Sequence, residues 1–225
     1  MYFSRIRLRT GADTGTLARQ LCEDDSYLEH QMLWRLFSGE PDSERDFLFR
    51  RDDYNGWPQF YLISRRMPES KDGSWQIDER KYQPKLLKGQ KLAFSLRANP
   101  VITRKDSFGK HKRHDLVMDI KIQSDWRLDA RVDRKSLYEL TQVAGETWLV
   151  PRLENNGGKL ETLNTEGYQQ HRIFKKGQTK PIRYSSLDLT GILSVTDPDA
   201  FTQTLYHGLG PAKAFGCGLL LVRKI

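Results

Sequence analysis

The sequence contains little cysteine and no long apolar run. Only two of its 225 residues are cysteines, Cys22 and Cys217, and they stand far apart with no metal-binding spacing. Such a count argues against a disulfide-linked secreted domain and fits a reducing cytoplasm. No stretch approaches the ~18 consecutive apolar residues that span a membrane, and the first residues alternate like a strand instead of forming a signal peptide. We therefore expect a soluble, cytoplasmic protein that does not bind membranes.

Metal-ligand clusters and nucleotide-binding signatures are also missing. No Asp/Glu group and no His/Cys set stands at ligand spacing, so we expect neither a metal nor a cofactor. His111 and His114 lack cysteine or carboxylate partners at that spacing, and we expect them to be solvated. The Walker pattern is absent. The one glycine-rich stretch precedes a final strand, whereas a dinucleotide-binding fingerprint follows a strand and opens a helix.

Aromatic and basic residues, by contrast, are plentiful. Hydrophobic residues make up 37% of the chain, which is low, but the 11% of aromatic residues argues against disorder. Lysine and arginine total 37 against 29 acidic residues, which gives a net charge of +8 and a pI near 9.4. This excess favours a polyanionic partner, nucleic acid above all. The length allows one large or two small domains.

Hydrophobic periodicity predicts the elements of the first half. Residues 2–9 alternate as a half-buried strand with a basic outer face, and residues 10–25 predict a loop or a weak helical turn. A helix is predicted from Ser26. Turn-forming residues at 52–56 separate two of the further strands, and these strands are predicted at residues 46–50, 58–65 and 74–81.

The second half predicts the same plan. Its expected elements are a strand at 92–97, a basic loop at 103–114, a helix at 135–144, a hairpin of 168–176 and 180–195, a capped helix from Asp197 to Gly208 and a buried strand at 219–222. Because of Pro151, it stays open whether the helix continues through 148–155. We place the domain boundary in the polar connector 85–90, with residues 1–88 in one domain and 89–225 in the other. Strand, helix and two strands on an antiparallel sheet predict an α+β protein of two tandem ferredoxin-like (βαββαβ) domains.

The helix that begins at Ser26 has the strongest signal in the sequence. Ser26 and Glu29 form a capping box, Gly39 is the expected stop and Pro41 follows it. At 100° per residue, one continuous arc of the helix is apolar, formed by Leu28, Met32, Leu33, Leu36 and Phe37.

Tyr27, His30 and Trp34 lie together along one edge of that arc, at the spacing i, i+3, i+7. A phenol and an imidazole are therefore neighbours at the rim of a buried face. Two interpretations stay open on the residues alone. The helix is an amphipathic core helix with a half-buried histidine, or the pair supplies groups for acid–base chemistry near neutral pH.

The hairpin around residues 176–179 interleaves cations with aromatic residues. Its cations are Arg172, Lys175, Lys176, Lys180 and Arg183. Such a ribbon could follow a phosphate backbone, or it could be a charged edge that resists strand pairing. Lys175 and Lys176 at the tip suit phosphate contacts, whereas the planar guanidinium of Arg172, further down the strand, suits reading of a base edge.

Four glycines, Gly208, Gly210, Gly216 and Gly218, fall within eleven residues near the end of the chain. A glycine costs roughly 1 kcal/mol in a helix interior relative to alanine, so this stretch predicts a loop. The glycines suit a backbone that takes positive φ or lies close against a partner. The amides of this loop, together with Lys213, could cradle a phosphate; a tight structural turn is equally open.

This loop resembles the C-terminal glycine-rich motif of RAMP-type CRISPR proteins, and more narrowly that of the CasE family. It reads Gly-Leu-Gly-Pro-Ala-Lys-Ala-Phe-Gly-Cys-Gly-Leu-Leu over residues 208–220. Three other stretches resemble the same family, at residues 1–5, 27–49 and 96–100. The resemblance therefore extends from the first residue to the last part of the chain.

The resemblance implies an endoribonuclease that cleaves the stem-loop repeats of CRISPR precursor RNA without a metal. It implies attack of a 2′-hydroxyl on the adjacent phosphate, which leaves a 2′,3′-cyclic phosphate and a 5′-hydroxyl. His30 would act as base or acid, Tyr27 would orient the nucleophile or donate a proton, and Arg35 is a candidate for stabilising the phosphorane. The product would stay bound, and the protein would join the other subunits of a type I-E CRISPR effector complex.

The residues expected to bind the RNA are Arg172, Lys175, Lys176, Lys180, Arg183, Lys213, Gly210 and Gly216. Two alternatives stay open. The chain could be a non-catalytic RAMP-type subunit that only binds RNA, or an unrelated enzyme whose glycine loop binds a small phosphate ligand.

Overall fold

The chain folds around two four-stranded antiparallel sheets. The structure is a computed structural model, and it describes residues 1–9, 15–22, 26–37, 45–105, 107–124, 136–174 and 179–225. A separate two-stranded sheet is formed by residues that come, along the chain, between the first and second strands of the second large sheet. Each large sheet has its own apolar core, formed where helices cover one of its faces.

The first sheet carries two helices between its first and second strands. The elements are β1 (Tyr2–Leu8), α1 (Gly15–Cys22), α2 (Ser26–Trp34), β2 (Phe47–Tyr54), β3 (Trp57–Ser64) and β4 (Trp75–Lys81). The strands lie in the order β2-β3-β1-β4. The apolar arc predicted for α2 is confirmed, because Met32, Leu33, Leu36 and Phe37 are buried with Phe49 and Phe60 of the sheet.

The second sheet repeats this plan with longer strands and an added hairpin. The elements are β5 (Lys91–Ala98), β6 (Val101–Lys105), β7 (His111–Asp115), α3 (Leu116–Gln123), α4 (Leu137–Glu154), β8 (Gly158–Ile173), β9 (Ile182–Val195), α5 (Pro198–His207), a 3-10 turn (Lys213–Phe215) and β10 (Leu220–Lys224).

The strand order of both large sheets identifies the fold class. The second sheet has the order β10-β5-β9-β8. Numbered within its own half, each sheet therefore has the order 4-1-3-2, which is that of the ferredoxin-like βαββαβ fold. The prediction of two tandem ferredoxin-like domains is confirmed. The boundary between residues 88 and 89 stays a prediction.

The two sheets meet through an apolar cluster and polar contacts. Leu48 and Ile63 of the first sheet are buried together with Leu219, which precedes β10. The Arg50 guanidinium donates a hydrogen bond to Ser95 Oγ at 2.6 Å, and Arg97 donates to the backbone oxygen of Arg51 at 3.3 Å. These contacts place β2, the edge strand of the first sheet, beside β5 of the second.

Two strand predictions were wrong because the alternation of buried and exposed residues is broken. The predicted loop at 103–114 contains the paired strands β6 and β7, whose cations are exposed on both faces, so no apolar alternation marks them. β8 begins at Gly158, ten residues before the predicted Tyr168. The register of β8 shifts twice, between Leu160 and Thr162 and between Glu166 and Gln169, and each such irregularity interrupts the period of two.

The helix predictions differ from the structure at their ends. α4 runs without a break to Glu154, with Pro151 inside it. A proline there removes one helical hydrogen bond, at a cost of about 3 kcal/mol, but Trp148, Leu149 and Leu153 are buried on both sides of it and hold the helix in the core. α3 was not predicted.

The predicted loop or weak turn at 10–25 contains the helix α1, and the part of the chain described there is 15–22. α2 ends at Trp34 and continues as a turn to Phe37, so it is shorter than predicted. The expected stop at Gly39, and Pro41 after it, lie outside the described residues, as does the side chain of Ser26. The β2–β3 turn is also tighter than the predicted 52–56, because only Asn55 and Gly56 connect the strands, both at positive φ.

Candidate active site and nucleic-acid interface

The imidazole of His30 is half-buried in a cluster of aromatic rings. α2 packs across β2, and this places the ring of His30 5.8 Å from that of Phe47 and 6.3 Å from that of Phe49. Trp34, one turn further along the helix, lies 5.7 Å from His30. The three aromatic rings restrict the orientation of the imidazole plane, because pairs of aromatic rings favour only a few relative orientations. The histidine therefore keeps a defined position at the edge of the first core.

An ion pair fixes α2 to β2 one residue before His30. Arg51 Nη1 donates to Glu29 Oε1 at 2.5 Å, and the two side chains are only 16% and 6% exposed. Removing one partner of such a buried pair leaves the other charge buried without a partner, which typically lowers the free energy of unfolding by about 3–5 kcal/mol. The sequence offered a different role for Glu29, that of a capping residue, and no local signal indicates its partner 22 positions away.

Tyr27 and Arg35 lie on either side of His30 along the chain. Tyr27 is half-buried one turn before His30, and both residues belong to α2. Arg35 follows the last residue of α2 and is exposed. The structure thus brings Tyr27 onto the same part of the helix as His30, whereas Arg35 extends into solvent beyond the helix end. The catalytic roles assigned to the three residues stay predictions.

The glycine-rich loop packs against α2 and β2. Its 3-10 turn, Lys213–Phe215, contacts both elements. Gly216 has φ +77°, and a Cβ built on it would lie 3.3 Å from the ring of Phe49, the same ring that neighbours His30. Gly210 has φ +78°, and its Cβ would lie 2.5 Å from the ring of Trp148. Packing and positive φ therefore both require glycine at 210, and positive φ favours it at 216. Their contact with RNA stays a prediction.

A stack of three rings joins the long hairpin of β8 and β9 to the glycine-rich loop. The rings of Tyr184 and Phe215 are 4.9 Å apart and nearly parallel. On its other face Tyr184 pairs with His171, at 4.4 Å, and His171 Nε2 lies 2.8 Å from Ser186 Oγ. The stack connects β8, β9 and the turn that contacts α2. Because these residues come from distant parts of the chain, no local sequence pattern predicts that they meet.

A cleft on one side of this stack carries charges that are mostly paired. The cleft lies between β2 and the second sheet. Arg51 is bonded there to Glu29, Arg50 to Asp52 at 2.9 Å, and Arg97 to Asp188 at 2.8 Å. Hydrogen bonding to Asp188 raises the pKa of Arg97 above its usual value. Because cations and carboxylates alternate in this cleft, it has little net attraction for a polyanion.

A groove on the other side of the stack is basic, and we call it the hairpin groove. It is lined by Arg113 and His114 of β7, Arg172 of β8 and Arg183 of β9, next to Phe215. Within the part of the chain that the structure describes, none of the three arginines has a carboxylate partner.

Arg172 and Arg183 stand directly opposite each other in the strand pairing. Like charges at such a position are destabilising unless an anion comes between them. The two residues, both predicted RNA ligands, therefore lie on a surface that favours phosphate.

The remaining predicted RNA ligands are distributed differently. Lys180 is exposed at the end of the hairpin. Lys175 and Lys176 lie outside the described residues. Lys213 is half-buried in a separate cavity, and burial together with the charge of Arg45 lowers its pKa.

Clusters of potential metal ligands and membrane-spanning helices are absent from the described ranges. There, no three His, Cys, Asp or Glu side chains lie close enough together to hold a metal ion. His111 and His114 are exposed, as predicted. Among the same residues, no helix has the length and apolarity to cross a bilayer.

Comparison with known proteins gives consistent results along the whole chain. The family model described as CRISPR associated protein matches residues 1–224. The CRISPR system Cascade subunit CasE of Escherichia coli (strain K12) is 31% identical over 198 residues, which cover 87% of this chain and 90% of the relative. The CRISPR-associated endoribonuclease Cse3 of Thermus thermophilus is 31% identical over 151 residues, which cover 63% of this chain and 59% of Cse3.

Solved structures show the same architecture. The crystal structure of the CRISPR-associated protein Cas6e from Escherichia coli str. K-12 matches with a TM-score of 0.63 and 28% identity, over 100% of each chain. The structure of CRISPR endoribonuclease Cse3 bound to 19 nt RNA has a TM-score of 0.72 and 24% identity, over 99% of this chain and 100% of that one. At the latter identity the likeness concerns the fold alone.

Proposed function

The chain belongs to the CasE family of CRISPR-associated proteins, and from this premise we propose that it is an endoribonuclease that cleaves the stem-loop repeats of CRISPR precursor RNA. The observation that carries the proposal is the position of His30. His30 stands among aromatic rings on α2 and supplies an acid–base group. The 3-10 turn that packs on α2 carries Phe215, which also lines the hairpin groove with its unpaired arginines. That combination suits cleavage of a bound polyanion.

We propose that the reaction proceeds without a metal. The 2′-hydroxyl of the nucleotide before the cleaved bond attacks the adjacent phosphate, the bond to the 5′-oxygen breaks, and the products carry a 2′,3′-cyclic phosphate and a 5′-hydroxyl. The 2′-hydroxyl loses one proton and the 5′-oxygen gains one, and His30 makes one of these transfers. Tyr27, one turn away, orients the nucleophile or donates the other proton. Arg35 stabilises the negative charge of the phosphorane, provided that the bound RNA reaches the end of α2.

The hairpin groove holds the RNA. Arg172 and Arg183 contact it there, Lys180 and the tip lysines Lys175 and Lys176 contact phosphates further out, and Lys213 contacts RNA near the glycine-rich loop. Gly210 and Gly216 let the loop backbone approach both the protein core and the RNA. The separation of the basic groove from the paired charges of the neighbouring cleft supports this assignment.

We propose that the cleaved RNA stays bound, and that the protein is a subunit of a type I-E CRISPR effector complex in the cytoplasm. The curated relative from Escherichia coli, which is a Cascade subunit by name and matches nearly its whole length, supports the assembly. Groups that bind the stem are separate from the reacting bond in this proposal, so cleavage leaves most RNA contacts in place.

The proposal is tested by incubating the protein with a repeat hairpin RNA in EDTA and measuring the masses of the products. We expect cleavage at one position, with product masses that correspond to a 2′,3′-cyclic phosphate and a 5′-hydroxyl. The control RNA lacks the 2′-hydroxyl at the cleaved position and should stay intact while it still binds. RNA binding without cleavage of either RNA would instead identify a non-catalytic RAMP-type subunit, and products with a 5′-phosphate formed only with Mg²⁺ would contradict the mechanism.

A further inference from the structure

A second basic cavity, distinct from the hairpin groove, lies where the first domain meets α5 and the glycine-rich loop. It has a volume of about 700 Å³. Arg45 and Phe47 line it from the start of β2, Arg66 from the segment after β3, His207 from the end of α5 and Lys213 from the 3-10 turn. Cations therefore enter this cavity from both domains, and we call it the junction cavity.

Arg45, Arg65 and Lys213 line this cavity and have no acidic partner in the described chain. Of these three cations, Arg45 is the one whose charge acts on Lys213. Arg66 binds Asp46 through two hydrogen bonds of 2.8 Å, and this pair is neutral as a whole. Asp46 is also the only carboxylate among the described residues that line the cavity. His207 adds a further basic group to the lining.

Arg45 and Lys213 are close enough to repel each other and are partly removed from water. Burial lowers the pKa of the Lys213 ammonium, and the positive charge of Arg45 lowers it further. Burial also lowers the pKa of the Arg45 guanidinium. Two like charges in such surroundings destabilise the folded protein until an anion enters between them. A phosphodiester group, with its negative charge and its acceptor oxygens, fits the donors of this cavity, which are one planar fork and one ammonium.

The junction cavity and His30 share a neighbour, Phe47. Phe47 forms part of its wall, and the ring of the same residue lies 5.8 Å from the imidazole. Lys213 belongs to the turn that packs on α2. An RNA strand that passes His30 with its reacting phosphate therefore has this cavity within reach of a neighbouring backbone phosphate.

We propose that the junction cavity is a phosphate subsite, in which Arg45 and Lys213 together hold one backbone phosphate of the RNA next to the cleaved bond. This inference rests on the proposed function. It adds Arg45 to the RNA-binding residues and has Arg45 and Lys213 hold the same phosphate. The subsite takes a phosphodiester of the RNA and not a free phosphate ion.

The test compares salt dependence of binding for Arg45→Gln, Lys213→Gln and the double variant. The RNA is the repeat hairpin without a 2′-hydroxyl at the cleaved position, so that binding is measured without cleavage. If one phosphate is held by both cations, each single variant weakens binding, and the double variant loses less than the product of the two losses. The slope of log K against log salt becomes shallower by about 0.7 to 0.9 in the double variant, the amount for a single phosphate contact.

Matched controls separate charge from fold. Lys88→Gln and Arg223→Gln remove exposed cations that line neither the junction cavity nor the hairpin groove, and they should leave both affinity and slope unchanged. Arg45→Lys with Lys213→Arg keeps both charges and should retain the wild-type slope. Equal melting temperatures of the variants and the wild type would show that the losses are not caused by unfolding.

Three outcomes overturn the subsite. An unchanged slope in the double variant means that no phosphate is held there, and a change about twice as large means two independent contacts. Inorganic phosphate that raises the melting temperature of wild type and not of the double variant, with RNA binding equal in both, means a site for a free anion. Failure of the wild-type protein to bind the hairpin would instead reject the proposed function itself.

Discussion

The two ferredoxin-like halves share one strand order but offer an RNA different groups. The first half presents a half-buried imidazole, on a helix that rings and an ion pair hold against the sheet. The second half presents exposed arginines on two hairpins and a loop with four glycines. Groups of the first kind have one fixed position, whereas groups of the second kind can follow a flexible chain. The comparison indicates a division of labour, with the chemistry in the first half and most of the RNA contacts in the second.

Burial explains why each half suits its task. An acid–base group acts only within hydrogen-bond reach of the proton that it moves, so its side chain must be held by packing and by neighbouring bonds. Phosphate contacts work through charge and long, solvated side chains, and they tolerate movement. His30 with Glu29 and Arg51 fulfils the first condition, and Arg172 with Arg183 the second.

The largest expected effect comes from the first half. His30→Ala should lower the single-turnover cleavage rate by ~100-fold or more, because a general acid–base group is lost, while RNA affinity stays unchanged. His111→Ala, which removes an exposed histidine of the second half, is the control and should cleave at the wild-type rate. Near-normal cleavage by His30→Ala would end the assignment of the imidazole.

Gly210→Ala tests how the glycine-rich loop is held. The left-handed backbone and the clash with Trp148 should together lower the free energy of unfolding by about 1–3 kcal/mol. Gly73→Ala has a similar φ of +71° with nothing within 4 Å of the new Cβ, so only the backbone strain of about 1 kcal/mol remains. Urea unfolding of both variants measures the difference. Equal losses would mean that contact with Trp148 does not hold the loop.

Charge removal in the hairpin groove should reduce affinity without changing the chemical step. Arg183→Gln should weaken binding to all hairpin RNAs alike and make the salt slope shallower by about 0.7 to 0.9. Arg172→Gln should cost about 1–3 kcal/mol for the cognate repeat and spare a scrambled stem, if its guanidinium reads a base edge. Salt titrations against both RNAs separate these outcomes. Unchanged affinity in both variants would leave the hairpin as a solvated edge.

Tyr27→Phe should have the smallest effect of the four. It removes one hydroxyl and its hydrogen bond, worth ~1 kcal/mol, so the cleavage rate should fall about fivefold. Single-turnover kinetics at saturating protein measure it. A loss as large as that of His30→Ala would mean that the phenol itself transfers a proton in the limiting step.

Local patterns predicted the parts of the molecule that local physics decides. The apolar arc of α2 and the capped helix α5 depend on residues close in sequence, and their prediction was correct. The last strand was predicted as a buried strand at 219–222; it is β10, Leu220–Lys224, and only Leu220 of it is buried. The glycine-rich loop was recognised for the same reason, since positive φ and close packing both require glycine.

Contacts between distant residues could not be predicted in this way. The Arg51–Glu29 pair joins positions 22 apart, and the ring stack joins β8 and β9 to the loop. Arg45 and Lys213 are far apart in sequence, so the sequence does not show that the charge of one acts on the other. The irregular pairing of β8 concealed the first ten residues of that strand, because bulges break the alternation by which a strand is recognised.

The division of labour is tested most directly by measuring cleavage rate at saturating protein and Kd on one repeat hairpin, in one buffer with EDTA, for two variants. These are His30→Ala and the double variant Arg172→Gln with Arg183→Gln. We expect a cleavage rate reduced by ~100-fold or more with unchanged Kd for the first variant, and a raised Kd with unchanged rate for the second. Rate and Kd changing together in both variants would contradict the division of labour, because chemistry and binding would then belong to one undivided surface.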